Sequence, residues 1–449
     1  MPLDTRTFAA DALVDVERGR VFAREAVAPR RDALADGRDR SLLMRIVYDA
    51  VRRRATLDAL LAASSKRPLA ELHPFVRASL RAALAQAVLS DRIPASAAVD
   101  GAVEAVKEKV GVPASGFVNG LLRGVLRAVE GPASGAEDPR RDVPRPGGVP
   151  LRLRHPTFPD PAAGLAENLA PRYAHPAWLV RRWLARHGEA TTRAMLEAGA
   201  SRPPVVLRAR RGDRDALVGD LVATGTAARA GEQPEEVVVE DGDSAGLAPV
   251  REGRAVVQDG TAQRIAPLAD VRPGDRVLDL CAAPGGKTLH LLELLDGTGE
   301  VLACDSAPDK VEALRALLAS RAVAGALARV SVVPKEGMLP FPPASFDSVV
   351  VDAPCTNTGV FRRRIEARDR LRESDVAALA LLQRDLVARA LPLVRRGGRL
   401  VYSVCSVEPE EGEANVAAIA ASTGARVEPA FSVLPSTTHD GGFAAVLHV

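Results

Sequence analysis

Residues 276–288 read RVLDLCAAPGGKT: a short run of strand formers, a turn built on Pro284, Gly285 and Gly286, then Lys287 and Thr288 opening an apolar stretch of helical period. A strand that passes through a glycine turn into a helix is the opening unit of a parallel α/β sheet. The alternation continues downstream. Strands are expected over 276–280, 300–304, 330–333, 348–352 and 399–404, with helices over 287–295, 308–321 and 374–393. That pattern implies a doubly wound sheet, and residues 444–449 are expected to add an edge strand.

Ligands of such sheets bind beyond the carboxyl ends of the strands. The glycine turn therefore shares a crevice with two thiols that end strand-like runs, Cys355 in VVVDAPC (349–355) and Cys405 in LVYSVCS (400–406). Backbone N–H groups at a helix start face anions. A phosphate-binding P-loop needs glycine where Cys281 stands, and G-x-G-x-x-G is absent. A ligand with a carboxylate and no phosphate chain fits better, and S-adenosylmethionine is one; an ordinary strand-to-helix turn is the bland alternative. Asp305, 26 residues after Asp279, suits a ribose diol or a helix cap.

Composition narrows the class. The 449 residues suggest two to four domains, and 47% apolar content supports large cores with few aromatics. A net charge of +3, from 60 basic and 57 acidic residues, does not announce nucleic-acid binding, so any such signal lies in arginine clusters: 52–54, 181–182, 210–211 and 362–364. Four cysteines without C-x-x-C spacing and seven scattered histidines argue against zinc and against a disulfide scaffold. No apolar run reaches the roughly 18 residues of a membrane helix. The expectation is a cytoplasmic, metal-free monomer.

Residues 1–130 read as helices only. Leu43, Ile46, Val47 and Ala50 repeat at helical spacing, as do Val76, Leu80, Ala83, Leu84 and Ala87. Prolines crowd residues 131–164, which reads as a linker. Residues 165–252 look like a small α+β subdomain, and 253–449 carry the parallel sheet.

The thiols bear on chemistry. Carbon 5 of a pyrimidine is not nucleophilic until a thiolate adds at carbon 6, which splits one hard step into two. Asp352, three residues before Cys355, suits stabilisation of such an adduct. Buried cysteine is commonly plain packing, the reading preferred here for Cys281 and Cys304. Cys355 and Cys405 stay open between packing and catalysis. Arg362, Arg363 and Arg364 follow Cys355 closely enough to hold a polynucleotide backbone.

Taken together, DLCAAPGGKT (279–288), DAPCTNTG (352–359) and YSVCSVEPEEGE (402–413) resemble the signatures of the Sun family of RNA cytosine-5 methyltransferases, with VQD (257–259) and DG (440–441) also matching. Residues 40–127 resemble a NusB-type helical RNA-binding domain through RSLLMRIVYDAVRRRATLDALL, IPASAAVDGAVE and GFVNGLLRGVLR; Arg53 lies in the first of these. The resemblance implies an all-α NusB-like domain followed by a Rossmann-like methyltransferase domain with a small α+β extension. It implies transfer from S-adenosylmethionine to carbon 5 of a cytosine in small-subunit ribosomal RNA. By likeness, Cys405 is the attacking thiol and Cys355 the thiol that releases product. Asp352 is the carboxylate near cofactor and base. Cys281, Ala282, Ala283, Pro284, Gly285, Gly286 and Lys287 form the cofactor loop, Asp305 is the ribose acid and Glu336 lies on the adenine side. Alternatives are a transfer RNA target, or a non-catalytic NusB-like assembly factor. The chain departs from the family pattern at Glu336, Val404 and Gly412, and at Ile365, Asp369 and Arg210, the last three on the presumed RNA face.

Overall fold

The computed structural model describes the chain except residues 1–3, 20, 91–92, 146, 211–212, 241–245 and 322–324; Arg211 of the 210–211 pair thus lies outside the described residues. It contains two compact units, Met1–Arg202 with Phe361–Arg370, and Pro203–Val360 with Leu371–Val449.

The first unit begins with seven helices: α1 (Asp4–Glu17), α2 (Ala23–Asp32), α3 (Gly37–Arg52), α4 (Arg54–Ser64), α5 (Pro74–Leu89), α6 (Ala95–Lys109) and α7 (Val112–Ala128). The helical repeats read from the sequence point inward. Leu43, Ile46, Val47, Ala50, Val76, Leu80, Ala83 and Leu84 are all buried in one core. The proline-rich stretch is not a bare linker. It holds a three-stranded antiparallel sheet, β1 (Val129–Pro132), β2 (Asp142–Val143) and β3 (Leu151–Leu153), in order β1-β3-β2. The prolines sit between these short strands or at their ends, where no ladder N–H is needed. Helices α8 (Leu165–Tyr173) and α9 (Ala177–Ala200) fall in this compact unit.

The second unit opens with β4 (Val205–Ala209), α10 (Arg214–Ala223), β5 (Ala228–Ala230), β6 (Glu236–Val239), α11 (Ala248–Arg251) and β7 (Ala255–Val257). The strands form an antiparallel sheet in order β5-β6-β4-β7 around Leu207, Val237 and Val239. After α12 (Gly260–Gln263) come β8 (Arg276–Asp279), α13 (Gly286–Leu294), β9 (Glu300–Asp305), α14 (Pro308–Ser320), β10 (Leu327–Val332) and β11 (Phe346–Asp352). The short α15 (Ala367–Arg370) lies in the first unit. Then follow α16 (Glu373–Ala390), β12 (Val394–Val404), α17 (Glu413–Thr423), β13 (Arg426–Val433) and β14 (Gly442–His448).

The seven strands run β10-β9-β8-β11-β12-β14-β13. The first five are parallel, and β14 is antiparallel to both its neighbours. Strand β14 therefore lies inside the sheet and not at its edge; the edge is β13, whose alternation is interrupted by Pro429 and a register shift. Winding reverses between β8 and β11, which places a ligand crevice at their carboxyl ends. Among the described residues no helix is long and apolar enough to cross a membrane, and no group of His, Cys, Asp and Glu is arranged to hold a metal.

Candidate active site

The loop from β8 to α13 is the first wall of the site. Leu280 N–H continues the ladder to Val350 O (2.9 Å), and Ala282 N–H reaches Cys304 O (2.8 Å). Gly285 has φ +107°, and a Cβ there would stand 2.7 Å from Leu314 Cδ1. Only glycine lets the loop pass that close to α14. The first-turn amides of α13 then open on the crevice unpaired by the helix itself. Behind the loop, Thr288 donates to Asp279 Oδ2 at 2.7 Å. Burial pushes the fully enclosed Asp279 carboxyl up to about 6.

This cradle is acidic. The thiol of Cys281 is pushed above the ordinary thiol range by burial, and then by the negative charge of Asp352, Asp279 and Asp305. Three carboxylates beside a helix N-terminus suit a ligand with a cationic centre and a carboxylate at opposite points, so the residues present fit S-adenosylmethionine. Asp305 ends β9 and accepts from Ala307 N–H at 3.1 Å, as a turn or cap acid does. Glu336 is exposed on the loop after β10. Cys304 is fully buried in the core, its thiol pushed up to about 12 by burial, which matches a packing role.

The second wall is made where β11 and β12 end. Lys287 Nζ donates to Asp352 Oδ2 at 2.5 Å, and Ser403 Oγ to Asp352 Oδ1 at 2.8 Å. Burial alone would lower the Lys287 ammonium, but the charge of Asp352, with smaller help from Asp279 and Cys405, holds it above its usual value. The sulfurs of Cys355 and Cys405 lie 3.1 Å apart as free thiols. Asn357, at φ +61°, takes a contact from Cys405 Sγ at 3.3 Å and donates to Cys355 O at 2.8 Å. The thiol of Cys355 is held well above the usual range, first by its hydrogen bond to Cys405, then by burial, then by the charges of Cys405 and Glu411. A thiol that keeps its proton thus faces the sulfur of Cys405 at 3.1 Å.

The loops are stitched through backbone. Gly359 N–H donates to Cys405 O (3.0 Å) and Gly441 N–H to Gly359 O (2.8 Å). Thr261 Oγ1 donates to Asp440 O (2.7 Å), and Asp440 N–H contacts Asp259 Oδ1 (3.3 Å), so the VQD and DG segments meet.

The arginines expected to hold RNA divide differently. Arg53 is buried, with Nη2 donating to Pro144 O and Arg172 O at 2.9 Å each, and burial lowers its guanidinium to about 10. Arg362 is 1% exposed, and its carbonyl accepts from Arg52. Arg53 is thus a structural cation of the first unit, where backbone carbonyls need donors, and Arg362 is buried there as well. Arg363 is half-buried and Arg364 exposed. Ile365 is a core residue of the first unit, and Asp369 pairs with Arg54 at 3.3 Å. Arg210 donates to Glu293 and to Gly253 O. None of these three departures is a free RNA-facing side chain.

Sequence reasoning missed the support beneath the thiols: Glu411, Thr356, Ser406, Gln383, Asn415 and Tyr402. Four of them, Thr356, Tyr402, Ser406 and Glu411, stand inside the quoted motifs, but nothing in their spacing shows that they form one buried network.

Comparison with known proteins agrees with this geometry. Residues 266–439 match the family model for 16S rRNA methyltransferase RsmB/F, residues 3–127 the NusB family, and residues 175–242 a ferredoxin-like domain of RsmF/B-like methyltransferases. The chain is 32% identical to ribosomal RNA small subunit methyltransferase B of Pseudomonas putida, over 94% of this chain and 91% of that protein. It is 28% identical to a probable ribosomal RNA small subunit methyltransferase B of Bacillus subtilis, over 91% and 86%. In fold it is similar to the crystal structure of PH0851 (TM-score 0.76, 22% identity, 100% of this chain and 99% of that one) and to NSun6 from Pyrococcus horikoshii with SFG (TM-score 0.52, 18% identity, 61% and 98%). A helical domain, a cradle and two thiols, in this order along the chain and over nearly the full length of such relatives, make this chain a member of the RsmB/F family of 16S rRNA methyltransferases.

Proposed function

We propose that this methyltransferase forms 5-methylcytosine in small-subunit ribosomal RNA, through a transient bond between Cys405 and the base. The observation that carries the reading is the 3.1 Å separation of two free thiols at the ends of adjacent strands, beside the Lys287–Asp352 pair of the cofactor loop. S-adenosylmethionine bound in the acidic cradle supplies an activated methyl group. The target cytosine leaves its stack, which costs a few kcal/mol and least where it is unpaired. Cys405, as thiolate, adds to carbon 6, and the electron pair displaced onto carbon 5 forms the new bond to the methyl carbon, whose bond to the donor sulfur breaks and leaves its electron pair on that sulfur as a neutral thioether. Cys355, its own proton passed to solvent, then takes the proton from carbon 5. The carbon–sulfur bond breaks, and its electrons return to Cys405 as thiolate. The pair ends as it began, with the proton on Cys355. Asp352, fixed by Lys287 and Ser403, steadies the ring nitrogen while the adduct exists.

In this reading the protein acts as a cytoplasmic monomer on RNA, with 253–449 as its catalytic domain. Arg363 and Arg364 keep a role in holding the backbone, whereas Arg53 and Arg362 do not. The test is transfer of labelled methyl to small-subunit RNA, with bisulfite sequencing of the product. Cys405→Ala should abolish transfer, and Cys355→Ala should accumulate a denaturant-resistant protein–RNA adduct that the double variant lacks. Full transfer by Cys405→Ala, or label at a position other than carbon 5 of cytosine, overturns it.

A further inference from the structure

Beneath the two thiols lies a carboxylate that the mechanism above does not use. Glu411 is fully buried. Its Oε1 accepts from Thr356 N–H (3.0 Å) and Gln383 Nε2 (2.9 Å), and its Oε2 accepts from the hydroxyls of Thr356 and Ser406. Four donors on two oxygens leave the group acceptor-only, which is the inventory of an ionised carboxylate. Thr356 follows Cys355 and Ser406 follows Cys405, so one side chain grips both thiol loops. The grip is braced from behind. Gln383 also donates to Pro354 O (2.9 Å). Tyr402 Oη donates to Glu411 O (2.6 Å) or Gln383 Oε1 (2.8 Å), and Asn415 Nδ2 reaches Gln383 Oε1 (3.0 Å). The hydroxyls link on: Thr356, Thr358 and Ser406 contact one another, and Val407 N–H donates to Thr358 Oγ1 at 3.0 Å.

We propose that Glu411 is a positioning residue that clamps the two thiol loops in register and assigns the proton of the pair to Cys355, leaving Cys405 as the nucleophile. The inference rests on the reading of Cys405 given above and deepens it. When one proton leaves two similar thiols in contact, something must decide which sulfur keeps the other. On the Cys355 side stands the anionic Glu411, hydrogen-bonded to the next residue. On the Cys405 side stands the ammonium of Lys287, from the cofactor loop. Other charged or titratable groups near the pair include Asp352, which Lys287 neutralises, Tyr402 of β12, the buried Glu408, and Arg384 of α16, which is tied to Asn415 Oδ1 at 2.6 Å. A negative charge beside a thiol favours its neutral form, and a positive one favours the thiolate. Glu411 and Lys287 therefore pull the proton the same way. A thiol that keeps its proton at the start is also the stronger base once it has lost it, which suits the later removal of the proton from carbon 5.

The test is alkylation by iodoacetamide of the full chain without RNA, followed site by site by mass spectrometry between pH 6 and 10. In the native protein Cys405 should be modified first. In Glu411→Gln the ratio of initial rates, Cys405 to Cys355, should fall about tenfold, the effect of moving one thiol by about one pH unit. A ratio within twofold of the native one overturns the inference. If Glu411→Gln does not fold, Thr356→Val serves. It removes the hydroxyl that ties the Cys355 loop to the carboxylate, and should speed Cys355 modification about fivefold or more, whereas an unchanged rate overturns the clamp. Because this assay involves no transfer, it separates the two readings. An inactive Cys405→Ala with an unaltered alkylation pattern in Glu411→Gln removes only the role of Glu411.

Discussion

Arg208 offers a stringent test of how the cofactor loop is held. Its side chain is completely buried on β4. Nε donates to Gln258 Oε1 (2.9 Å), and Nη1 to Glu235 Oε2 (3.0 Å) and Glu293 Oε2 (2.5 Å). Glu293 lies on α13, two turns beyond Gly286 and Lys287, and it also takes Arg210. The small antiparallel sheet thus grips the helix whose first turn builds the cradle. Arg208→Met should leave Glu293 buried with one cation in place of two. Breaking a buried pair by removing one partner costs about 3–5 kcal/mol, and Arg210 keeps the effect near the lower bound. Roughly 3 kcal/mol corresponds to about 150-fold faster amide exchange if α13 opens locally. Tryptophan fluorescence is blind to this change, because Trp178 and Trp183 both belong to the first unit. Hydrogen exchange of peptides spanning 276–295 is the suitable assay. Adding Glu293→Gln to Arg208→Met should cost less than the sum of the two single changes, with a coupling of about 2 kcal/mol. Exchange in Arg208→Met within threefold of native, together with additive single effects, would refute the clamp.

Three further outcomes are expected. In Gly359→Ala the new Cβ would stand 2.5 Å from Gly441 O and 3.0 Å from Cys405 O; backbone must move, so methyl transfer should drop at least about tenfold with a stability loss of about 1–3 kcal/mol, and near-native activity would show that the stitched loops tolerate displacement. Asp279 holds its proton more tightly when folded, at about 6 against 3.8 unfolded, so its contribution is complete below the unfolded value and is lost as pH rises through 6. Asp279→Asn should therefore stabilise the second unit at pH 7.5 by about 2–3 kcal/mol and leave it little changed at pH 4, as read by urea denaturation followed by exchange; equal effects at both pH values would refute it. Hydrogen peroxide should take one hydrogen from each of Cys355 and Cys405 and join the sulfurs, which need to approach by about 1 Å from their present contact. Peptide mapping should find that cross-link, reversed by dithiothreitol, with Cys281 and Cys304 unmodified.

Much of this molecule could be read from its residues, for reasons that differ by element. The parallel strands β8, β9, β11 and β12 are apolar runs closed by turn residues, and their ends carry the glycine turn and the two thiols, so the fold and the meeting of these residues were visible together. The pair β13 and β14 was half read: Val446 and Leu447 mark a strand, but only long-range pairing with β12 puts it inside the sheet. The small sheet of β1–β3 was hidden because proline density reports local freedom and not tertiary pairing. Arginine clusters misled most. A run such as 52–54 looks like a solvated face, yet Arg53 meets carbonyls from Pro144 and Arg172, about a hundred residues away, which no local pattern encodes. Glu411 was hidden for the same reason, since its partners Thr356 and Gln383 come from other segments.

The position of β14 between β12 and β13 has a consequence for synthesis. Gly441 N–H donates to Gly359 O, and β14 supplies the strand next to the sheet's edge. Until residues 441–448 have been made, the thiol loops lack the Gly441 bond and the β14 pairing behind them. At about 5–20 residues per second, Cys355 waits on the order of 5–20 s for the segment that completes its surroundings. During that interval the nascent chain carries two thiols without a finished pocket.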